Sequence, residues 1–330
     1  MEKLQLNELD NFIKEVDSLY EISHDDAYKK FSEVELEYPK ISNLNPFSTE
    51  YKNKIFDLYK KISGNQIYEV NTEESFVDIE SAIYKPYPYL SNSVKRLALY
   101  HKLLGKLMSM VEINPGDSIL DMGCGWGCTS LEFANIGMDV TALDINSYFC
   151  ELVKKRAALN HINSIKVIND DFLWIERTSK KFDAIIFFEC FHHCWDFERL
   201  LKGMHKVLSS KGKIYFAAEP ISDIFPIPWS LRLDGESLFV IRKHGWMELG
   251  FRKNFFRELL YRNGWLAKEI EDGFWEASPI VNPIIITGDD RLIKSNFFIE
   301  KENDLIIKAP ENKNNILTYG PYITLSKGEN

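Results

Sequence analysis

The chain has 330 residues, with 40 Lys and Arg against 49 Asp and Glu, and its formal net charge is −9. Hydrophobic residues make up 45% of it and charged residues 27%, which is the usage of globular proteins and excludes a fibrous or disordered chain. Because the chain is negative and has no basic run, it is a poor partner for a phosphate backbone or an anionic membrane surface. We therefore expect no nucleic-acid partner.

Location is predicted from what the sequence lacks. No stretch approaches the roughly 20 consecutive apolar residues of a spanning helix, so we predict no membrane span. The first residues lack the basic segment and apolar core of a secretory signal. The five cysteines are an odd number, which favours free thiols in a reducing compartment. These features predict a cytoplasmic protein, and the oligomeric state has no signature in the sequence.

Residues 1–110 are predicted to be a helical N-terminal region. Apolar residues recur at helical spacing from Leu9 to Tyr20 and again from Tyr51 to Ile62. The segment Tyr84 to Tyr89 contains two prolines between tyrosines and is expected to be extended. A further amphipathic helix is predicted from Leu97 to Met108, just before the pattern changes.

Residues 111–288 alternate between strands and helices. Such alternation predicts a doubly wound, Rossmann-like, mostly parallel sheet. The fourth strand is continuously apolar, as a strand buried on both faces should be. The segment Ile284-Ile285-Ile286-Thr287 is predicted to be the last strand of the sheet. The five strands before it are predicted at 118–121, 140–143, 165–168, 184–188 and 214–217.

Two further segments depart from this alternation. Residues 220–250 hold several turn signals and two tryptophans, and we interpret them as an insertion after the fifth strand. Residues 289–330 contain strand-like pieces and are predicted to form a β-rich C-terminal extension.

A glycine-rich turn follows the first predicted strand, in Asp121-Met122-Gly123-Cys124-Gly125-Trp126-Gly127. Glycines at alternate positions let the backbone bend sharply and approach a ligand closely. The spacing differs from the G-x-G-x-x-G of dinucleotide sites, because the third glycine is Gly127 and residue 128 is Cys128. A carboxylate at Asp121 would repel a pyrophosphate and attract an ammonium or a sulfonium.

Two more carboxylates follow the next two strands. Asp144 ends the second strand, where it can accept both hydroxyls of a ribose. Asp171 follows the third strand and can accept a hydrogen bond from an adenine amine, while Phe172 can lie on the ring. Asp170 could take the place of Asp171, and a solvated strand end or helix cap remains the plainer interpretation. Carboxylates at three successive strand ends predict a cationic nucleoside ligand without phosphates.

From about Pro115 to Pro220 the sequence resembles the class I S-adenosylmethionine-dependent methyltransferase family. The resemblance is carried, in order, by the glycine turn, Leu143-Asp144-Ile145-Asn146, Asp171, Phe182-Asp183-Ala184-Ile185-Ile186, Phe191-His192-His193 and Leu208 to Lys213. It implies S-adenosylmethionine as the cofactor, with the methionine part at the glycine turn, the ribose on Asp144 and the adenine near Asp171. The predicted cofactor-binding residues are Asp121, Gly123, Cys124, Gly125, Gly127, Asp144, Ile145, Asp171, Phe172 and Glu189.

The loop Glu189 to Cys194 lies at the carboxyl end of the fourth predicted strand, next to the expected methyl group. His193 has the right pKa range for a general base, and it aligns with a histidine that the family often carries, sometimes only for structure or to border the cofactor. Glu219 and His244 are further candidate bases. Cys190, His192, His193 and Cys194 fit no C-x-x-C pair, and one short loop cannot easily wrap a metal, so no metal is predicted.

The resemblance implies an enzyme that methylates an oxygen or nitrogen of a small molecule or glycan. Trp229, Trp246, Arg232 and Asp234 in the insertion suit a sugar or polyol, and the chain loosely resembles methyltransferases of cell-surface carbohydrate assembly. The Tyr84 to Tyr89 segment is a candidate lid over the cofactor. Two alternatives remain. One is a nicotinamide-dependent sugar oxidoreductase or epimerase, which Asp121 and the glycine spacing disfavour, and the other is a non-catalytic S-adenosylmethionine-binding module.

Overall fold

The computed structural model describes residues 2–41, 43–64, 67–85 and 93–280, and after them the backbone of short strands between 285 and 325. A seven-stranded sheet lies at the centre, in the spatial order β6-β7-β5-β4-β1-β2-β3. Strands β1 to β5 pair in parallel, and β7 runs antiparallel to both of its neighbours. The predicted doubly wound, Rossmann-like class is confirmed. The strands are β1 Ser118–Met122, β2 Asp139–Asp144, β3 Ile165–Asn169, β4 Phe182–Phe188, β5 Leu208–Ala217, β6 Trp265–Glu271 and β7 Phe274–Pro279.

The closing strands of the sheet correct one prediction. β6 and β7 form a hairpin, and Trp275 of β7 lies opposite Phe216 of β5. Ile285–Ile286 instead pairs with Leu292–Ile293 in a separate two-stranded ladder, and Ile284 and Thr287 lie outside the described residues. The prediction that Ile284 to Thr287 completes the sheet is therefore wrong. The apolar run looked like a buried strand, whereas β6 is an edge strand in which the exposed Lys268 and Glu271 interrupt the apolar pattern.

The N-terminal region is helical, as predicted. Local signals set the boundaries of its longest helix, α3. The Ser48 side chain accepts a hydrogen bond from the Tyr51 N–H at its start, and Gly64 ends it in the left-handed conformation. The helices are α1 Leu9–Ile22, α2 His24–Phe31, α3 Thr49–Ser63 and the single turn α4 Ile79–Ala82.

The remaining helices cover both faces of the sheet, apart from the helix in the insertion. Leu104 and Leu107 of α5 pack with Phe133 of α6 on one face, so α5 belongs to the layers of the sheet rather than to the helices before it. Leu200 of α8 and Leu259 of α10 pack on the other face. No helix among the described residues is long and apolar enough to cross a bilayer. These helices are α5 Val94–Met110, α6 Cys128–Asn135, α7 Ser147–Leu159, α8 Phe197–Met204, α9 Gly235–His244 and α10 Lys253–Arg262.

Helices α1 to α3, residues 67–73 and residues 220–251 form one unit, which we call the cap. The Met247 N–H donates to Glu73 Oε1 at 2.7 Å. The Tyr51 hydroxyl donates to the Trp229 carbonyl at 2.7 Å, and Trp229 Nε1 donates to the Pro46 carbonyl at 2.8 Å. The Tyr59 hydroxyl donates to the Gly245 carbonyl at 2.6 Å. Since α9 lies within the insertion and packs against all three N-terminal helices, the insertion is the link between these helices and the sheet.

Backbone strands confirm the predicted β-rich character of the C-terminal extension. Four short segments form a ladder, in which the second and third in space run parallel and the outer pairs run antiparallel. In spatial order they are Ile299–Glu302, Asp304–Ile307, Ile323–Leu325 and Leu317–Tyr319.

Candidate functional site

A cavity of about 490 Å³ lies at the carboxyl ends of the central strands. Strand order reverses between β1 and β4, and open α/β sheets bind their ligands at this point. The volume falls within the roughly 300–1,000 Å³ of small-molecule sites. The glycine turn, the ends of β2, β3 and β4, and the cap all contribute to its wall.

The glycine turn presents bare backbone to the cavity. Gly123 and Gly125 both line it. Gly125 has a φ of +48°, and no atom lies within 4 Å of where its Cβ would be, so a side chain there would fill space that a ligand can use. Cys124 and Gly127 do not line the cavity. A Cβ on Gly127 would lie 2.6 Å from Val153 Cγ2, so this glycine allows α7 to pack against the turn.

Asp144 joins the glycine turn to the end of β2. Its Oδ2 accepts the Gly125 N–H and its Oδ1 accepts the Asn146 N–H, both at 2.8 Å. Burial raises the pKa of Asp144 to about 6, although these two hydrogen bonds oppose the rise. Because the Gly125 amide is already bonded to a carboxylate of its own chain, the turn is not arranged to hold a phosphate.

Asp121 lies behind the cavity wall rather than on it. The residue is 2% exposed, and its Oδ2 accepts a hydrogen bond of 2.6 Å from the Ser130 hydroxyl. Burial raises the pKa of Asp121 to about 7, with a smaller contribution from the charge of Asp144. Any effect of Asp121 on a ligand is therefore electrostatic and acts through the turn.

The ends of β2 and β3 line a further part of the wall. Ile145, Asp171 and Phe172 line the cavity together, as the resemblance implies, and Asp170 lines it as well. Arg177 Nη2 lies 2.6 Å from Asp170 Oδ1 and 3.2 Å from Asp171 Oδ1, so it holds both carboxylates in place. The aromatic ring of Phe172 gives this part of the wall an apolar surface.

The cavity is strongly acidic. Seven carboxylates and one histidine line it, and within the described chain no lysine or arginine does. Such a wall attracts cations and repels anions. The carboxylates are those of Glu69, Glu73, Asp144, Asp170, Asp171, Glu189 and Asp196.

Glu189 stands at the end of β4 with its backbone in the left-handed region, at a φ of +53°. Its side chain is exposed to the cavity. The protein atoms around the carboxyl shield it from bulk water, and this burial raises the pKa of Glu189 to about 7. The negative charges of Glu219 and Glu236 add to the rise. A non-glycine residue held in this conformation at a ligand cavity is typical of a functional position.

Glu219 organises the loop that follows Glu189. Its Oε1 accepts the N–H groups of Cys190 and Phe191 at 2.8 Å, and its Oε2 lies 2.8 Å from His192 Nδ1. Burial alone would raise the pKa of Glu219, but His192 and the backbone donors hold it below its ordinary value. Since its oxygens are occupied and it does not line the cavity, Glu219 positions the loop.

His193 lines the cavity beside two carboxylates of the cap. Its Nδ1 lies 3.3 Å from Glu73 Oε2 and 4.0 Å from Glu248 Oε1. Burial opposes the charged form, yet Glu73, Glu248 and Glu219 raise the pKa of His193 to about 9. An imidazole charged at neutral pH has no free lone pair, so the structure does not favour His193 as a free general base.

Residues 119–212 match a family model described as a methyltransferase domain. The chain contains a class I S-adenosylmethionine-dependent methyltransferase domain. The resemblance that the glycine turn and the strand-end carboxylates indicated is confirmed, and S-adenosylmethionine is the cofactor of this family.

The relatives match less than half of this chain. A ubiquinone biosynthesis O-methyltransferase of Coxiella burnetii is 28% identical over 102 residues, which are 31% of this chain and 43% of the relative. An uncharacterised protein of Methanocaldococcus jannaschii is 29% identical over 134 residues, which are 40% of this chain and 48% of that one. The chain thus spans about half or less of the length of these relatives.

A solved structure matches about half of this chain. An S-adenosylmethionine-dependent methyltransferase from Mesorhizobium loti has 18% identity and a TM-score of 0.43, and the match covers 52% of this chain and 94% of that one.

The methyltransferase domain offers groups that fit its cofactor. The open side of Gly125 leaves room for a ligand against the backbone, and Asp144 keeps lone pairs free beyond its two hydrogen bonds. The acidic wall suits the positive charges of a sulfonium and an ammonium.

The cap and the loop before α8 supply the residues that the sequence interpretation missed. Tyr68, Glu73 and Trp195 line the cavity, and the Asn146 side chain holds this cover in place by donating to the Ser75 carbonyl at 2.8 Å. They come from irregular segments or loop positions, so no periodicity marks them. Glu73 is the exception, because it is the last residue of the 3₁₀ turn Val70–Glu73.

Most of the predicted lid lies outside the described residues, Tyr87 and Tyr89 included. Tyr84 is 78% exposed and does not line the cavity. Within the described chain, the segment Tyr68 to Glu73, which comes before the predicted lid, covers the cavity. A lid formed by Tyr84 to Tyr89 stays a prediction.

The predicted sugar-binding set is largely structural. Trp229 is 2% exposed in the core of the cap, and Arg232 forms ion pairs with Asp234 and Glu248. Trp246 alone of the predicted four lines the cavity. His244, the other candidate base, is exposed and does not line it.

Proposed function

We propose that the chain transfers the methyl group of S-adenosylmethionine to a neutral or cationic acceptor that is a small molecule or a glycan. The charge of the cavity carries this proposal. Carboxylates from the ends of β2, β3 and β4 face a space that no lysine or arginine of the described chain lines. A cationic donor without phosphates is favoured there, and an anionic acceptor is not.

The donor is held by the residues that the sequence analysis singled out. In this proposal Asp144 accepts the ribose hydroxyls, Asp171 or Asp170 binds the adenine amine, and Phe172 lies on the ring. Gly123 and Gly125 hold the methionine part through bare backbone, while Asp121 adds negative potential from behind. When bound, the cofactor supplies a methyl group on a positively charged sulfur. The work of the chain is then to orient the two reactants and to exclude water.

The acceptor would lie against the cap. Tyr68, Trp195 and Trp246 give the cavity an aromatic wall, and aromatic faces suit a sugar ring or another flat ring. His193 stands on the same side, so it borders the acceptor in this proposal. The name of the Coxiella relative, an O-methyltransferase, favours a hydroxyl acceptor, although that similarity covers 31% of this chain and 43% of the relative.

A nicotinamide-dependent oxidoreductase fits the cavity less well. Its cofactor carries a pyrophosphate, which needs free backbone amides or basic side chains. The Gly125 amide is bonded to Asp144, and the lining residues described here include neither lysine nor arginine.

Calorimetry with S-adenosylhomocysteine and, separately, with NAD tests the donor. We expect binding of S-adenosylhomocysteine alone, and binding of NAD alone would overturn the proposal. Transfer is tested with S-adenosylmethionine labelled in its methyl group, incubated with neutral sugars, phenols, amines and a small-molecule cell extract. Label is expected in at least one uncharged or amine product. Donor binding with no transfer to any of them would contradict the transferase and support a non-catalytic binding module.

A further inference from the structure

Two histidines and two carboxylates converge on the wall of the cavity. One ligand atom each from His192, His193 and Glu248 lies within 4.8 Å of the others. His192 Nε2 is 3.8 Å from Glu248 Oε2, and His193 Nδ1 is 4.0 Å from Glu248 Oε1. Glu73 Oε2 approaches to 3.3 Å from His193 Nδ1. The four side chains come from three separate parts of the chain, and His193 and Glu73 face the cavity.

The tautomer of His192 leaves a lone pair inside this cluster. Its Nδ1 lies 2.8 Å from Glu219 Oε2, and a carboxylate at that distance requires the proton to be on Nδ1. In the neutral imidazole, Nε2 then carries a lone pair that faces Glu248 Oε2, itself only an acceptor. Two acceptors that face each other repel unless a proton or another cation lies between them. A carboxylate on the far nitrogen of an imidazole is also the usual partner of a metal-binding histidine.

His193 adds a second nitrogen. Its Nδ1 is buried and makes no well-aligned hydrogen bond, although Glu73 and Glu248 lie within 4.0 Å. A buried polar atom is costly to leave without a partner, and a water, a ligand or an ion can supply one. The nitrogen is surrounded by negative charge, which is the environment of a cation.

The charges around the cluster favour a cation. A metal ion binds neutral imidazoles, so the proton that His193 holds at neutral pH leaves when an ion takes its place. Glu73, Glu219, Glu248 and Asp234 then carry four negative charges, and Arg232, which lies 3.2 Å from Glu248 and 3.1 Å from Asp234, carries one positive charge. A divalent cation would neutralise two of the three negative charges that remain.

We propose that His192, His193 and Glu248, with Glu73 as a fourth ligand, bind a divalent first-row transition-metal ion on the wall of the cavity. Paired imidazoles with carboxylates suit zinc, manganese, iron, cobalt or nickel better than magnesium or calcium, which prefer oxygen ligands throughout. Bonds of about 2.0–2.2 Å place neighbouring ligand atoms about 3.0–3.5 Å apart. The pairs at 3.8 and 4.0 Å therefore need to close by roughly half an ångström, and a pair near the 4.8 Å limit of the cluster by more than about one ångström.

Sequence reasoning predicted no metal because it considered one loop. Cys190 and Cys194 are the loop residues that would complete a four-ligand set there, but the Cys190 thiol donates to the Met122 carbonyl at 2.7 Å, away from the histidines. The carboxylate ligands come instead from the cap. Glu248 lies directly before the strand Leu249–Phe251, and Glu73 ends the 3₁₀ turn Val70–Glu73.

The metal site limits the chemical class of the acceptor, and this inference rests on the proposed methyl transfer. An ion held by His193 and Glu73 faces the side of the cavity where the acceptor would lie. A divalent ion that binds a hydroxyl lowers the pKa of that hydroxyl and makes its oxygen a better nucleophile. The oxygen then attacks the methyl carbon, the carbon–sulfur bond breaks with its electron pair on sulfur, and the hydroxyl proton passes to water. The acceptor class is therefore an uncharged hydroxyl compound.

Metal content and Co²⁺ spectroscopy test the site without any turnover. The full chain is stripped with EDTA and titrated with Co²⁺ alone, and the visible d–d bands and bound metal are measured. We expect one ion per chain, and at least a 100-fold weaker affinity in His192→Asn, His193→Asn and Glu248→Gln. The control is His161→Asn, an exposed histidine in the left-handed conformation that asparagine also adopts, and it should bind Co²⁺ like the unaltered chain.

Calorimetry with S-adenosylhomocysteine on the stripped chain separates this proposal from the previous one. Donor binding without stoichiometric Co²⁺ binding would overturn the metal site and leave the donor site standing. Stoichiometric Co²⁺ binding that survives in all three variants would also overturn it. Co²⁺ binding that the variants abolish, with no donor binding, would support the metal site and contradict the proposed function. Circular dichroism of each variant shows whether a lost site reflects lost folding.

Discussion

The Asp144 carboxylate accepts the Gly125 N–H at 2.8 Å, so the end of β2 and the glycine turn are joined directly. One amide of the turn thus donates to a carboxylate of its own chain, and that carboxylate lines the cavity. This one contact fixes the position of the group that we assign to the ribose. It also sets the site apart from phosphate-binding turns, whose amides point at the ligand.

Asp144→Asn should weaken donor binding. The amide cannot accept hydrogen bonds through both of its atoms, and hydrogen bonds to a charged group contribute about 1.5–3 kcal/mol. We therefore expect roughly 10- to 100-fold weaker binding of S-adenosylhomocysteine by calorimetry. Asp139→Asn, at the exposed opposite end of β2, is the control and should bind normally. Equal affinity in the two variants would remove Asp144 from the site.

Donor affinity should depend on pH through Asp144. Burial raises its pKa to about 6, so the carboxylate that binds the ribose is present above this pH and is lost below it. Affinity for S-adenosylhomocysteine is expected to level off above pH 7 and to fall by up to about tenfold per pH unit below 6. The same titration of Asp144→Asn should be flatter. An identical slope in the variant would mean that another group titrates.

Asp121→Asn should change how stability depends on pH. The folded chain raises the pKa of Asp121 from 3.8 to about 7, so it binds this proton more tightly than the unfolded chain does. The stabilisation by Asp121 is then complete below about pH 4 and is lost as pH rises towards 7. Asparagine avoids burying a charge, so the variant is expected to unfold at higher urea concentration than the unaltered chain at pH 8. The gain in free energy of unfolding should be on the order of a few kcal/mol.

Asp183→Asn is a control in which we expect the opposite change in stability. The Ser118 N–H holds the pKa of Asp183 below its ordinary value of 3.8, so its contribution is present above that pH and is lost as pH falls. This variant should therefore be less stable than the unaltered chain at pH 8. If Asp121→Asn also proved less stable there, the buried carboxylate would have to be charged and well solvated, contrary to the structure.

Tyr59→Phe tests whether the insertion and the N-terminal helices form one cap. The variant removes the hydroxyl that donates to the Gly245 carbonyl at 2.6 Å and leaves that carbonyl without this donor. The expected loss is about 1–3 kcal/mol in free energy of unfolding, measured with urea. Tyr84→Phe, at a residue that is 78% exposed, should change stability by less than about 0.5 kcal/mol. Equal effects would show that the Tyr59 contact contributes nothing.

The sequence alone predicted the sheet, the order of its first five strands along the chain and the part of the cavity wall that we assign to the methyl donor. These features depend on local signals. An apolar strand, a glycine turn and a strand-end carboxylate follow one another within a few residues, and parallel strands bring their carboxyl ends to one edge. Gly125, Asp144 and Asp171 therefore came together as predicted, whereas Asp121 lies behind the wall.

The part of the cavity wall that we assign to the acceptor was decided by tertiary structure. Tyr68 lies 125 residues before His193 in the chain, yet its hydroxyl donates to the His193 carbonyl at 3.4 Å. Glu73 and Glu248 reach the same histidine from two further segments of the cap. No short-range pattern encodes such pairs, because packing of the cap on the sheet creates them. The charge state of His193 and the tautomer of His192 depend on these neighbours, so the chemistry of this wall follows only from the folded chain.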